Sequence, residues 1–269
     1  MENNLLKKRQ TGFLLAFIIL IGILLVVPLI SSEPSGVAGL TEERTERATE
    51  TPALNHSAIA GNLTEITLYG YSTTRAWQGY FGNVTGTIQL AYGSEPGTNE
   101  YVFYNWSIVD AQGQVYASTN SSIQWENIQC FNFTATGAID DTDEEPGEMN
   151  LKGMNVTQLE ESFNITSRDV DGVNETFTST THSLFYVISY DFENICQTVR
   201  TFNSSGIPTF EQVLMYEPES NSVIFTSLLK EGGVVGFDGG TYDFQMLFLE
   251  DGHGTNIETT TYYFFVELM

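Results

Sequence analysis

The sequence predicts a mainly β protein: a β-sandwich-like ectodomain of the immunoglobulin-like class with one short helix, preceded by an N-terminal transmembrane helix. Three observations predict it. From residue 62 onward apolar and polar residues alternate with a period of two, as half-buried strands require. Gly, Pro, Asn or Asp stand at most of the joints between the alternating runs. Residues 12–30 form an uncharged apolar run with Lys7, Lys8 and Arg9 directly before it. These divide the chain into a basic cytoplasmic tail (1–11), a transmembrane anchor (12–30), a flexible stalk (31–60) and an ectodomain (61–269).

A helix needs roughly 20 apolar residues to span about 30 Å of hydrocarbon, and the run 12–30 supplies that length. The basic flank places the N-terminus in the cytoplasm and the bulk of the chain outside a cell membrane crossed once. Two other readings of the same residues stay open. Ser31 and Ser32 offer small residues for signal cleavage. Gly12 followed by Phe13 permits a class III prepilin leader, although Thr11 is not basic and Phe17 stands where bacterial pilins carry a glutamate.

Between residues 33 and 60 the chain is polar, rich in Thr and Glu, and broken by Pro34 and Pro52, which reads as a linker. In NVTGTIQL, Val84, Gly86, Ile88 and Leu90 point one way and Asn83, Thr85, Thr87 and Gln89 the other. YVFYNWSIVD places Val102, Tyr104, Trp106 and Ile108 on one face with Asn105 opposite, and the turn at 110–114 predicts a hairpin into QVYAS. In IQCFNFT the pattern turns Phe131 and Phe133 inward and puts Cys130 beside Asn132, so the cysteine either staples an outer face or marks a bulge. VTQLEESFNI is the short helix, with Thr157 and Glu160 at capping-box spacing. HSLFYVISYD, ICQTVRTF, TFEQVLMY, SVIFTSLL, TYDFQMLFL and TTYYFFVEL continue as strands. The last is apolar on both faces and belongs in a sheet centre or under a neighbour.

Formal charge is −24, and few Lys or Arg residues lie beyond the tail, which disfavours nucleic acid as a partner. Cys130 and Cys196 lie in the exterior part, where oxidation is allowed, and predict one disulfide. Ten asparagines begin N-x-S/T triplets without proline: Asn55, Asn62, Asn83, Asn105, Asn120, Asn132, Asn155, Asn164, Asn174 and Asn203. About three or four would arise by chance from this composition, so the excess predicts N-glycosylation of an exported chain.

Candidate sites are few. Asp140, Asp141, Asp143, Glu144, Glu145 and Glu148 form an acidic loop that offers hard oxygen ligands to calcium, but Pro146 and the spacing depart from an EF-hand, and a solvated loop is the preferred reading. No cofactor is expected beyond this possible Ca2+. The turn from Asp169 to Gly172, which includes Asp171, is similarly unspecific. Arg75, Trp77, Tyr80 and Phe81 cluster between glycines, either as a surface for a sugar ring or protein partner or as cover for one end of the core. His56, His182 and His253 are scattered, and no nucleophile, base or metal constellation is evident.

The phrases TTRAWQGYFGNVTGTIQL, YDFQMLFLEDG and YYFFVEL resemble segments of archaeal exported proteins with one N-terminal hydrophobic segment and a β-rich exterior. The resemblance spans most of residues 68–268 and implies an archaeal cell-surface protein, without implying a reaction or ligand. The expected role is therefore structural or binding, at an envelope or in adhesion. A pilin-like filament subunit and an extracellular carboxylate-based hydrolase stand as alternatives, and the oligomeric state is left open.

Overall fold

The computed structural model describes residues 33–92, 101–137, 146–251 and 259–268. The expected tail (1–11) and anchor (12–30) lie outside the described residues. Among the described residues no helix is long and apolar enough to cross a membrane.

The chain builds a central antiparallel sheet in the order β1 (Ser35–Gly36), β15 (Tyr263–Leu268), β5 (Gly113–Ser118), β11 (Ser222–Leu228), β10 (Pro208–Glu217) and β6 (Gln129–Cys130), with β9 (Thr198–Phe202) also paired to β10. Its spine is the β10–β11 hairpin, whose ladder joins Gln212–Glu217 to Ser222–Ser227. The hairpin turn is closed by buried Glu217, which accepts the N–H groups of Glu219 (2.9 Å) and Ser220 (3.0 Å), while Asn221 takes the left-handed conformation at φ 52°. Every residue of β5 and β11 is buried. Such strands need cover on both faces, and they receive it.

Alternation along these strands separates two cores. Val115, Ala117, Leu214, Tyr216, Val223 and Phe225 face one side, where they meet Met246, Phe248, Leu159, Val173 and Phe177. Those partners come from a second, two-stranded sheet, β2 (Trp77–Gly82) with β14 (Phe244–Leu249), and from α1 (Val156–Ser162) and α2 (Val173–Thr176). Tyr116, Val213, Met215, Ile224 and Phe265 face the other side, where they meet Trp125, Ile128, Phe185, Val187, Phe192 and the two cysteines. A small hairpin, β7 (Phe185–Val187) with β8 (Tyr190–Phe192), and the 3-10 turn Trp125–Asn127 cover this face. The strand that is apolar on both faces, β15, lies between β1 and β5, with Phe264 and Val266 towards one core and Phe265 in the other.

Buried Gln212 fixes how the second sheet sits. Its Nε2 donates to the carbonyl of Leu247 (2.7 Å) and its Oε1 accepts the Leu247 N–H (2.7 Å), so a side-chain amide replaces a ladder pair. The remaining pairs are β3 (Gly86–Ala91) with β4 (Val102–Ile108), and β12 (Val234–Val235) with β13 (Thr241–Tyr242).

Several expected details are replaced. The hairpin expected between β4 and β5 is absent: β4 pairs with β3, while the two-sided burial of β5 draws it between β11 and β15. HSLFYVISYD is a hairpin rather than one strand. It turns at Ile188 (φ 56°), whose N–H donates to buried Glu267 (3.1 Å). The capping box lies two residues earlier than expected, with Asn155 accepting from the Gln158 N–H (3.0 Å) and Gln158 Oε1 accepting from the Asn155 N–H (3.2 Å). A second helical turn, α2, follows the expected one. At the start of the segment read as a stalk, Ser35 and Gly36 join the sheet edge opposite Val266 and Phe265. Residues 38–59 then run exposed and without regular structure.

Candidate functional site

The cluster Arg75, Trp77, Tyr80 and Phe81 is divided by the structure. Trp77 donates from Nε1 to the Asp171 carbonyl (2.6 Å) and its ring lies 6.1 Å from that of Phe177. Tyr80 packs on Phe248 (4.6 Å) and Phe264 (5.9 Å). Both therefore belong to the rim of the first core. Arg75 is exposed.

Phe81 belongs instead to a box on the molecular surface. Its ring meets those of Phe237 (4.8 Å) and Tyr242 (4.9 Å) edge to face. Arg44 reaches this box from the exposed segment 38–59. Its Nη2 donates to Asp238 Oδ2 (2.5 Å) and approaches the Tyr242 hydroxyl (3.4 Å), and its guanidinium carbon stands 5.3 Å from the Phe81 centroid. Asp238 Oδ1 accepts the Gly240 N–H (2.9 Å), and Oδ2 also accepts the Tyr242 hydroxyl (3.0 Å). The Gly240 amide, followed by Arg44 and Tyr242, holds the Asp238 carboxyl below its ordinary pKa and keeps it anionic.

The domain holds the box from behind. Buried Gln245 accepts the Phe237 N–H (2.8 Å) and donates to Thr201 Oγ1 (2.9 Å) and the Phe202 carbonyl (3.0 Å). Tyr242 packs closely on glycine backbone: a Cβ at Gly236 would fall 2.4 Å from its ring and one at Gly240 2.6 Å from its hydroxyl. Arg44, Phe237, Asp238 and Tyr242 were not expected from the sequence. The signal was the glycine-punctuated GGVVGFDGGTYD, whose glycines bracket Phe237 and Asp238 and stand just before Tyr242.

Cys130 and Cys196 form the expected disulfide, with Cα atoms 4.8 Å apart. Both are fully buried in the second core, so the bond staples no outer face, and β6 pairs with β10 at Met215 and Tyr216 without a register shift. The sheet has no outer face at this point. Buried His182 supports it: Nε2 accepts the N–H groups of Ile195 (3.2 Å) and Cys196 (3.1 Å), which leaves Nδ1 to donate to the Ser183 carbonyl (2.9 Å). His182 thus has a packing role.

All ten sequon asparagines are described, and none is buried. Asn55, Asn62, Asn83, Asn105, Asn164 and Asn174 are exposed, and Asn120, Asn132, Asn155 and Asn203 partly so. Asn132 and Asn203 close Asx turns through Oδ1 to Thr134 (3.0 Å) and Ser205 (2.9 Å). Asn155 is the α1 cap and donates from Nδ2 to the Ala135 carbonyl (3.3 Å).

The β3–β4 pair leaves an apolar face open. Ile88 lies opposite Trp106 and Leu90 opposite Tyr104, and all four side chains remain about half exposed. The Tyr104 and Trp106 rings are 4.8 Å apart. Gln89 and Asn105 pair on the opposite face, so the sequon points away from the aromatics.

Asp140, Asp141, Asp143, Glu144 and Glu145 of the acidic loop, and His253, lie outside the described residues; Glu148 is exposed. Asp169 Oδ2 accepts the Thr166 N–H (2.7 Å), and Asp171 Oδ2 accepts the Thr74 hydroxyl (2.5 Å). Among the described residues no group of three or more His, Cys, Asp or Glu side chains is placed to hold a metal ion. No protein-family model, curated protein or solved structure matches the chain.

Proposed function

We propose that the chain is a single-pass, membrane-anchored cell-surface glycoprotein of an archaeal envelope, with a structural or adhesive role carried by a sandwich-like ectodomain. The observation that carries the reading is the placement of the sequons: ten acceptor triplets, well above chance, with none of the ten asparagines buried. The disulfide agrees with export to an oxidising space. In this reading the run 12–30 anchors the chain and the tail 1–11 stays in the cytoplasm. The half-exposed aromatic face of β3–β4, turned away from Asn105, supports contact with other surface components.

That same open face favours a second reading, a subunit of an extracellular filament, in which the mature chain begins at Phe13. Sequencing the N-terminus of native protein separates the two. An intact segment before Gly12 supports the anchored glycoprotein, and a first residue of Phe13 supports the filament.

A further inference from the structure

We propose that the box of Phe81, Phe237, Asp238 and Tyr242 is a guanidinium-recognition site, which Arg44 fills in cis and which takes an arginine of a partner chain when Arg44 withdraws. The box is held by the domain without help from Arg44. Gln245 anchors Phe237, the Gly240 amide orients Asp238, and the backbone at Gly236 and Gly240 seats Tyr242. Its chemistry matches one cation closely: a carboxylate for charge-assisted donation, and an aromatic face for a flat, weakly hydrated group. Nothing local places Arg44 there, since it is 194 residues from Asp238 in sequence and its segment has no regular structure.

The surrounding charge sharpens the point. Glu42, Glu43, Glu46 and Glu50 flank Arg44 in a chain of net charge −24, so long-range electrostatics do not favour docking this segment. The site therefore selects the guanidinium against its context. An exposed ion pair and one cation–π contact are each weak, which makes the cis contact reversible and the site open to exchange. While engaged, Arg44 clips the linker to the domain a few residues beyond its first attachment at Ser35 and Gly36, so residues 33–44 cannot act as a free tether.

The test uses the full chain in detergent, with Nα-acetyl-arginine amide as probe and its lysine counterpart as comparison, read by calorimetric titration. Arg44→Ala should bind the arginine probe about tenfold more tightly than wild type, and more tightly than it binds the lysine probe. Asp238→Asn added to Arg44→Ala should remove that gain. Because both residues are exposed, circular dichroism should show every variant folded. A parallel trypsin digestion should cut after Arg47 faster in Asp238→Asn than in wild type. Equal probe binding by wild type and Arg44→Ala, no loss on adding Asp238→Asn, or unchanged cleavage after Arg47 would each overturn the proposal.

Discussion

Gln212 holds β14 over the central sheet with one side-chain amide, and both its bonds end on the backbone of Leu247. Replacing it by leucine leaves a buried N–H and a buried carbonyl without partners. Gln212→Leu should cost about 2–4 kcal/mol of stability, read from urea unfolding. Glu211 carries a pH dependence. Burial pushes its carboxyl up, but the Ser183 hydroxyl (2.7 Å), Lys230 and Arg200 outweigh this and hold it below its ordinary value of 4.5. A depressed pKa gives stability that is present above the unfolded value and is lost as pH falls through the folded one. The stability gap between wild type and Glu211→Gln should therefore be widest above about pH 5 and shrink towards pH 3. A gap that widens on acidification would contradict this. Neither residue was legible in the sequence. A polar residue within an apolar run reads only as an interruption until its partner is known: that of Gln212 lies on β14, and those of Glu211 lie on β9 and at Ser183 and Lys230 outside the strands.

At the scale of elements, strands were more legible than their pairing. The alternation at 84–90 and 102–108 marked β3 and β4, and Thr or Gln opposite Ile or Leu fixed their faces. Pairing β4 with β5 failed because a good turn at 110–114 outweighed a subtler cue: VYA of β5 has no polar face to give to water. The helix was found, but its cap was not, since Asn155 and Gln158 satisfy the same geometry as Thr157 and Glu160. Burial separates two aromatics of similar size. Phe248 is nearly inaccessible and touches Tyr80, Phe225, Tyr262 and Phe264, whereas Trp106 is half exposed. Phe248→Ala should cost about 3–5 kcal/mol, and Trp106→Ser should stay within about 0.5 kcal/mol of wild type. A large loss at Trp106 in chemical unfolding would mean that the open face of β3–β4 holds the fold together.

For the whole molecule, one covalent bond and a two-sided sheet set the organisation. The disulfide closes a loop with a sequence separation of 66, which contains α1, α2 and the β7–β8 hairpin. Cross-linking a loop of that size lowers the entropy of the unfolded chain. Cys130→Ser with Cys196→Ser should lose about 4 kcal/mol, measured by unfolding without reductant. The pairing was legible because a chain with two cysteines leaves one choice. The burial of the bond was not, because a half-buried strand predicts one wet face and the sheet at Cys130 is covered on both sides. The proposed export of the chain is tested most directly by a peptide map of protein from the membrane fraction of its native cells, unreduced and with any sugars intact. Peptides spanning residues 7–30, a Cys130–Cys196 cross-linked pair and sugar on several of the ten sequon asparagines are the expected result. Ten bare asparagines together with two alkylatable thiols in the denatured chain would contradict it.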